Sequence, residues 1–123
     1  MSSIKRDPIK KSVRDRVKSR FGGRCGYCGE LSERLQIDHM QPVASPYGSN
    51  DESNLIPACF QCNNFKGGMN VEEFRRSLNE NPRKASDYSV NHRMAMKYGQ
   101  ININLAPIVF YFEREQSNEK NQI

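Results

Sequence analysis

Two cysteine pairs constrain the fold of this chain more than any other feature. Cys25-x-x-Cys28 and Cys59-x-x-Cys62 contain all four cysteines of the 123 residues. Paired cysteines at this spacing are typical of a tetrahedral zinc site. Because a site with four sulfur ligands has no open coordination position, we expect this zinc to be structural and not catalytic. Two disulfides, or free cysteines in the core, are the alternatives.

The composition is that of a small polar protein that needs such a metal. Charged residues make up 27% of the chain and hydrophobic residues 36%, which predicts one domain over residues 1–123 with a small core. No apolar run reaches the ~20 residues that span a bilayer, and the basic N-terminus lacks the apolar stretch of a secretory signal. We therefore expect a cytoplasmic, intracellular protein of prokaryotic or phage type, where cysteines bind metals more often than they form disulfides.

The net charge of +5 is unevenly distributed. Residues 1–24 have a balance of +7 and residues 25–64 a balance of −4, which suits a protein that binds a polyanion at its periphery and a metal at its centre. The basic segment predicts a helix over residues 5–24, with Asp7 as N-cap and Pro8 at the first helical position. A solvated surface helix is the alternative to a nucleic-acid contact. The side chains expected to bind nucleic acid are Arg14, Lys18, Arg20, Arg24 and Lys66.

The segment around and between the cysteine pairs predicts two strands and a helix. Leu35–Ile37 and Leu55–Ile56 have the pattern of short strands, and a short helix is expected to begin near Cys59 and end at Gly67. Residues 25–68 would thus form a ββα core closed by the zinc.

The C-terminal part carries no motif. Over residues 69–115 we expect helices and a strand, with a polar connection at 79–87 that contains a proline, a helix at Tyr88–Tyr98 and a strand at Ile108–Phe112. Residues 116–123 are predicted to be a disordered tail.

Between the cysteine pairs, and directly after the last cysteine, lies a second pattern of polar residues. Its members are Asp38-His39, Asn54-Leu55 and Cys62-Asn63-Asn64-Phe65-Lys66. In this order they resemble the HNH endonuclease family, in the branch whose core carries a four-cysteine zinc site. The resemblance extends from about residue 13 to residue 78. It implies an α+β fold, a small zinc-stapled ββα-metal (HNH/His-Me finger) core with flanking helices and a short C-terminal strand.

The resemblance implies a role for each matching residue. His39 would be the general base that activates water, since imidazole exchanges protons near neutral pH. Asp38 and Asn63 would hold a catalytic cation at the scissile phosphate. Asn54 would order the loop that holds the base, and Lys66 would contact a phosphate oxygen. Because Asp38 and Asn63 offer only oxygen, Mg²⁺ or Mn²⁺ is favoured over Zn²⁺ at this position.

One geometric condition follows for this mechanism. Adjacent residues of a regular strand point to opposite faces of the sheet, yet Asp38 and His39 must both address one phosphate. The strand must therefore end or bend at this pair.

The function implied is hydrolysis of phosphodiester bonds in double-stranded DNA by a metal-dependent endonuclease. The alternatives are a non-catalytic zinc-dependent nucleic-acid-binding module and a protein-interaction domain of the zinc-ribbon type, which has no need of the Asp-His pair. A single active site makes one incision, so a symmetric double cut would need a homodimer. A larger phage, mobile-element or defence assembly is equally compatible with this core.

Overall fold

The computed structural model describes residues 8–42 and 48–114. Helices and a two-stranded antiparallel sheet make up the described part, which confirms the predicted α+β class. In chain order the elements are α1 (Lys11–Arg20), β1 (Gln36–His39), β2 (Leu55–Ala58), α2 (Phe60–Lys66), α3 (Val71–Tyr88) and α4 (Val90–Lys97). The predicted tail at 116–123 lies outside the described residues.

Two compact units make up the described chain. One contains the described residues up to Val71 together with those from Val109 onwards, and the other is Glu72–Ile108. The first unit holds the sheet, α1, α2 and all four cysteines. A single nuclease domain over residues 1–123 stays a prediction.

Helix α1 begins at Lys11 and not at Pro8, so the predicted start was three residues early. Lys10 has extended backbone angles, and its carbonyl accepts the first helical hydrogen bonds, from the N–H groups of Val13 and Arg14 at 3.0 Å each. The proposed cap, Asp7, lies outside the described residues.

The C-terminal end of α1 agrees with the sequence-based expectation. Gly22 and Gly23 follow the helix with φ of +62° and +76°, angles that glycine adopts without steric cost. Val17 on the inner face is fully buried, and α1 packs against β2. The basic side chains therefore stay on the outer face.

Strands β1 and β2 pair in the register Gln36 with Ala58 and His39 with Leu55. All residues of β2 are buried, whereas β1 is partly exposed. β1 ends at His39, which satisfies the condition that no strand continue beyond the Asp-His pair. Helix α2 follows β2 directly and packs against β1, so the three elements form the expected ββα unit.

The predicted strand at residues 108–112 is wrong. Residues 108–110 have no regular secondary structure, and residues 111–114 form a helical turn. The backbone N–H groups of Tyr111 and Phe112 donate to the carbonyls of Tyr27 and Gly26 at 2.9 and 2.8 Å. The aromatic residues that suggested a strand are therefore used to cover the first cysteine turn.

The predicted connection at residues 79–87 is also wrong, because α3 runs through Pro82 to Tyr88. A proline inside a helix costs ~3 kcal/mol, and strong helix formers near it, such as Glu80, Arg83 and Lys84, are mixed with weaker ones such as Asn79 and Asn81. Lys84 pairs with Glu80 at 3.6 Å across one turn, and the Ser86 hydroxyl donates to the Pro82 carbonyl at 3.2 Å. Both contacts connect side chains or backbone groups on the two sides of the proline within one continuous helix.

Helix α4 agrees with the expected helix near residues 88–98. The Ser89 hydroxyl accepts a hydrogen bond from the His92 N–H at 3.1 Å and caps the N-terminus. Gly99, with φ of +70°, follows Tyr98, the residue that caps the C-terminus of the helix. His92 is half-buried and its Nδ1 lies 2.9 Å from the Ser86 hydroxyl, which gives this histidine a structural partner.

Candidate metal centre and active site

The four cysteines converge on one point. Their Sγ atoms all lie within 4.8 Å of one another, and those of Cys28 and Cys59 are 3.9 Å apart. Zn–S bonds of ~2.3 Å in a tetrahedron place the sulfurs about 3.8 Å apart. All four are free cysteines, so the disulfide alternative does not apply. The residues present fit a zinc ion, and the predicted four-cysteine zinc site is confirmed at the level of its ligand cluster.

The electrostatics of the cluster favour a cation. A hydrogen bond from the Cys62 thiol lowers the pKa of Cys25 to about 4, and the same bond raises the pKa of Cys62. Loss of hydration on burial raises the pKa of Cys28 to about 11. Without a central positive charge the thiols cannot all ionise together, whereas a bound zinc ion would stabilise four thiolates.

The first cysteine turn is packed closely on the sheet. The Gly26 N–H donates to the Pro57 carbonyl at 2.7 Å, and a Cβ at Gly26 would overlap the side chain of Ile56. Only glycine fits this approach. The second pair begins α2, where the Cys59 sulfur accepts from the Cys62 N–H at 3.4 Å. A zinc ion held by these cysteines would connect the turn before β1 to the helix after β2.

Asp38 is held by two buried donors on the same carboxylate oxygen. Its Oδ2 accepts from the Tyr27 hydroxyl at 2.7 Å and from Lys66 Nζ at 3.0 Å. The side chain of Lys66 is 1% exposed and that of Asp38 is 11% exposed. From the described residues, Oδ1 accepts no hydrogen bond. One oxygen of this carboxylate is therefore fixed, and the other is available to a ligand.

The expected contact of Lys66 with a phosphate does not match this geometry. Lys66 lies on the side of α2 that packs on β1, where its ammonium also donates to the His39 carbonyl at 3.0 Å. The side chain is enclosed by the protein and does not reach a surface. Lys66 instead binds the Asp38 carboxylate and the His39 backbone carbonyl at the end of β1.

His39 is half-buried at the end of β1. Its Nε2 lies 2.8 Å from the Asn50 Oδ1. Because an amide oxygen only accepts hydrogen bonds, Nε2 carries the proton in this arrangement and Nδ1 is left as the basic nitrogen. Asn50 therefore selects the tautomer of the predicted base.

Asn54 closes the loop that follows His39. Its side chain accepts from the Gln41 N–H at 2.8 Å and donates to the Gln41 and Ser49 carbonyls at 3.1 and 2.9 Å. Its own carbonyl accepts from the Met40 N–H at 2.9 Å. These bonds hold Gln41 and Ser49, which lie on the two sides of the loop, beside the start of β2.

Asn63 lies one helical turn before Lys66 and faces the same strand. Its Nδ2 donates to Gln36 Oε1 at 2.6 Å, which leaves Oδ1 as a potential metal ligand. Gln36 and Asp38 are two residues apart and share one face of β1. Oxygen donors from β1 and α2 therefore border this face, and such donors suit Mg²⁺ or Mn²⁺.

The basic residues of α1 and of the turn that follows it differ in their surroundings. Arg20 lies 3.9 Å from a carboxylate oxygen of Glu52, and Arg24 donates to the Gly29 carbonyl at 2.9 Å. Arg14 and Lys18 line a groove with Gln36. Gln36 also lines a second cavity. The other residues of that cavity are Phe60, Asn63, Asn64 and Gly67.

Three residues at this site carry no signal in the sequence that reveals their contacts. Tyr27 is explained by packing near the zinc, Asn50 belongs to a polar loop, and Gln36 belongs to a short strand. Each acquires its partner through tertiary contacts with Asp38, His39 or Asn63 respectively.

The fold and the site agree with the architecture that the sequence resemblance implied. A ββα unit carries a four-cysteine cluster that fits zinc, and an Asp-His pair lies at the end of β1. Residues 23–68 match the sequence model of the HNH endonuclease family. The matched segment contains the two cysteine pairs and the Asp-His pair on which the sequence resemblance to this family rests.

Individual relatives come from a bacterial prophage and a phage. The chain is 35% identical over 75 residues to the SPbeta prophage-derived protein YoqL of Bacillus subtilis (strain 168), whose name places it among the HNH endonucleases. That match covers 54% of this chain and 33% of YoqL. A second match, 37% identical over 49 residues, is to protein ea31 of Escherichia phage lambda and covers 39% of this chain and 17% of ea31.

One solved structure shares the fold. It is the crystal structure of the type II-C Cas9 enzyme from Actinomyces naeslundii, with a TM-score of 0.50 and 28% identity over 60% of this chain and 8% of that enzyme. The chain spans a third or less of each of these proteins. Among the described residues, no helix has the length and apolar character to cross a membrane.

Proposed function

We propose that this chain is a metal-dependent DNA endonuclease. Asp38 and Asn63 hold a catalytic Mg²⁺ or Mn²⁺, and His39 activates the attacking water. The observation that carries this proposal is the geometry at the end of β1. There Asp38 is fixed through one oxygen with the other available, and His39 follows with its Nε2 engaged by Asn50.

Each residue contributes a separate part of the reaction. A divalent cation held by Asp38 and Asn63 would supply positive charge beside the scissile phosphate and the leaving oxygen. His39 takes the proton of the attacking water on Nδ1, because Nε2 is occupied by Asn50. Asn54 keeps the loop after His39 in place, so the imidazole does not have to be ordered when the substrate binds.

Arg14 and Lys18 support DNA as the substrate. They lie one turn apart on α1 and line a groove that shares the lining residue Gln36 with the cavity at Asn63. Contacts from such side chains to phosphates are independent of sequence and sensitive to salt. Because Arg20 and Arg24 already have partners in the protein, we expect Arg14 and Lys18 to contribute more to binding.

Plasmid cleavage by the zinc-loaded protein tests this function. With Mg²⁺ or Mn²⁺ the wild type should cut, and His39→Ala should lose ~10²–10⁴-fold in rate with its thermal stability retained. His92→Ala changes the second of the two histidines and should cut like the wild type. If His39→Ala cuts normally, the assignment of the base is wrong.

The metal dependence distinguishes the remaining outcomes. A wild type that binds DNA but leaves plasmid intact with every divalent cation would be a non-catalytic zinc-dependent nucleic-acid-binding module. Robust cleavage supported by Zn²⁺ alone would contradict the oxygen-ligand site formed by Asp38 and Asn63.

A further inference from the structure

Tyr27 has a contact that packing alone does not explain. Its ring is 2% exposed and meets the rings of Phe110 and Phe112 at centroid distances of 5.4 and 6.3 Å. A phenylalanine would provide the same packing. The hydroxyl, however, reaches across to Asp38 Oδ2 at 2.7 Å. A residue inside the zinc-binding turn thus contacts the proposed ligand of the catalytic cation.

We propose that Tyr27 is a positioning residue for the catalytic cation. Its hydroxyl, together with the Lys66 ammonium, holds the Asp38 carboxylate through Oδ2 so that Oδ1 is presented to the metal. This inference rests on the function proposed above. It also assigns the zinc site a second task, because the turn that binds zinc carries the side chain that orients the catalytic ligand.

The donors around Asp38 differ in what they contribute. Lys66 supplies a positive charge, which attracts the carboxylate but also repels an incoming divalent cation. Tyr27 is neutral, and its hydroxyl orients the carboxylate without adding charge. The hydrogen bond of 2.7 Å to Oδ2 fixes the direction in which the carboxylate points. Removal of the Tyr27 hydroxyl therefore tests the orientation of the Asp38 carboxylate without changing the charge near the metal site.

Tyr27 is itself firmly placed. Its N–H donates to the Cys25 sulfur at 3.4 Å, and its carbonyl accepts from the Tyr111 N–H at 2.9 Å. The backbone is thus held by the zinc turn on one side and by the C-terminal segment on the other. A rigid donor of this kind reduces the freedom that a metal-binding carboxylate would otherwise lose on coordination.

Binding of Mn²⁺ to the zinc-loaded protein, followed by the electron paramagnetic resonance of free Mn²⁺, tests the proposal directly. Tyr27→Phe should weaken Mn²⁺ binding by ~10–100-fold, the usual effect of losing an outer-shell partner. Its zinc content should be unchanged. In plasmid cleavage the same variant should need a correspondingly higher Mn²⁺ concentration and recover near wild-type rate when saturated.

Phe112→Leu is the matched control. It alters the aromatic packing of Tyr27 without removing the donor to Asp38, so it should lower the melting temperature and leave Mn²⁺ affinity unchanged. If Phe112→Leu weakens Mn²⁺ binding as much as Tyr27→Phe, packing and not the hydroxyl is responsible, and the inference fails.

The same titration separates this inference from the proposed function. If Tyr27→Phe binds Mn²⁺ like the wild type while Asp38→Asn and Asn63→Ala do not bind it, the metal site stands and the positioning role is wrong. If the wild type shows no Mn²⁺ binding that depends on Asp38 and Asn63, the proposed function fails and this inference fails with it.

Discussion

The buried pair of Lys66 and Asp38 allows a quantitative prediction about stability. Replacement of Lys66 by methionine keeps an unbranched side chain that is one atom shorter and removes the charge. The Asp38 carboxylate, 11% exposed, would then lack its cationic partner. Breaking a buried ion pair from one side costs ~3–5 kcal/mol. Because the Tyr27 hydroxyl still donates to Asp38, we expect Lys66→Met to lose about 3 kcal/mol, the lower end of that range.

The assay compares thermal and urea unfolding of zinc-loaded proteins. For a domain of this size, about 3 kcal/mol corresponds to a decrease of roughly 10 °C in melting temperature. Lys84→Met is the matched control, since Lys84 and Glu80 form an ion pair in which both side chains are about half exposed. That exposed pair should change stability by less than ~0.5 kcal/mol.

A double variant distinguishes loss of charge pairing from loss of packing. In Lys66→Met with Asp38→Asn no charge is left unpaired, so the combined loss should be smaller than the sum of the single losses by roughly 1–3 kcal/mol. Two results would refute the view that Lys66 holds Asp38 electrostatically. One is a free energy of unfolding of Lys66→Met equal to that of the wild type, and the other is a loss in the double variant equal to the sum of the single losses.

Two further predictions concern the zinc and the DNA surface. Cys59→Ser should abolish cooperative unfolding and leave less than one zinc per chain by metal analysis, because structural zinc supplies ~10 kcal/mol or more of folding free energy; a cooperatively folded, zinc-free variant would show that the metal is dispensable. Arg14→Ala and Lys18→Ala should each weaken DNA binding and reduce the slope of log affinity against log salt by about one, while Arg76→Ala on α3 should not. Equal salt slopes for all variants would remove α1 from the binding surface.

Most of the ββα core could be predicted from the sequence because its signals are local. Glycines after α1 and the alternation at Leu35–Ile37 depend on a few neighbouring residues, and the elements lie within a few residues of their expected bounds. The cysteine spacing added one long-range restraint. If Cys25 and Cys59 bind the same ion, the two short strands between them are held close together, which favours their pairing.

Two sequence-based predictions failed in the C-terminal part. Pro82 predicts a break, but α3 continues through it to Tyr88. The aromatic run at residues 108–112 predicts a strand, but its rings and N–H groups are satisfied by the first cysteine turn. In both cases the local sequence pattern favoured a structure that the folded chain does not adopt.

By itself the sequence determined the chemistry available: four thiols with zinc spacing, and an acid, an imidazole and amides in the order of an HNH core. Only the tertiary structure decided how these groups meet. Lys66 turned out to be buried against Asp38 and not free for phosphate, and the Tyr27 hydroxyl joined the same carboxylate oxygen. The physical reason is that residue type and spacing specify which bonds a side chain can form. Which bond it does form depends on what the fold brings within ~3 Å.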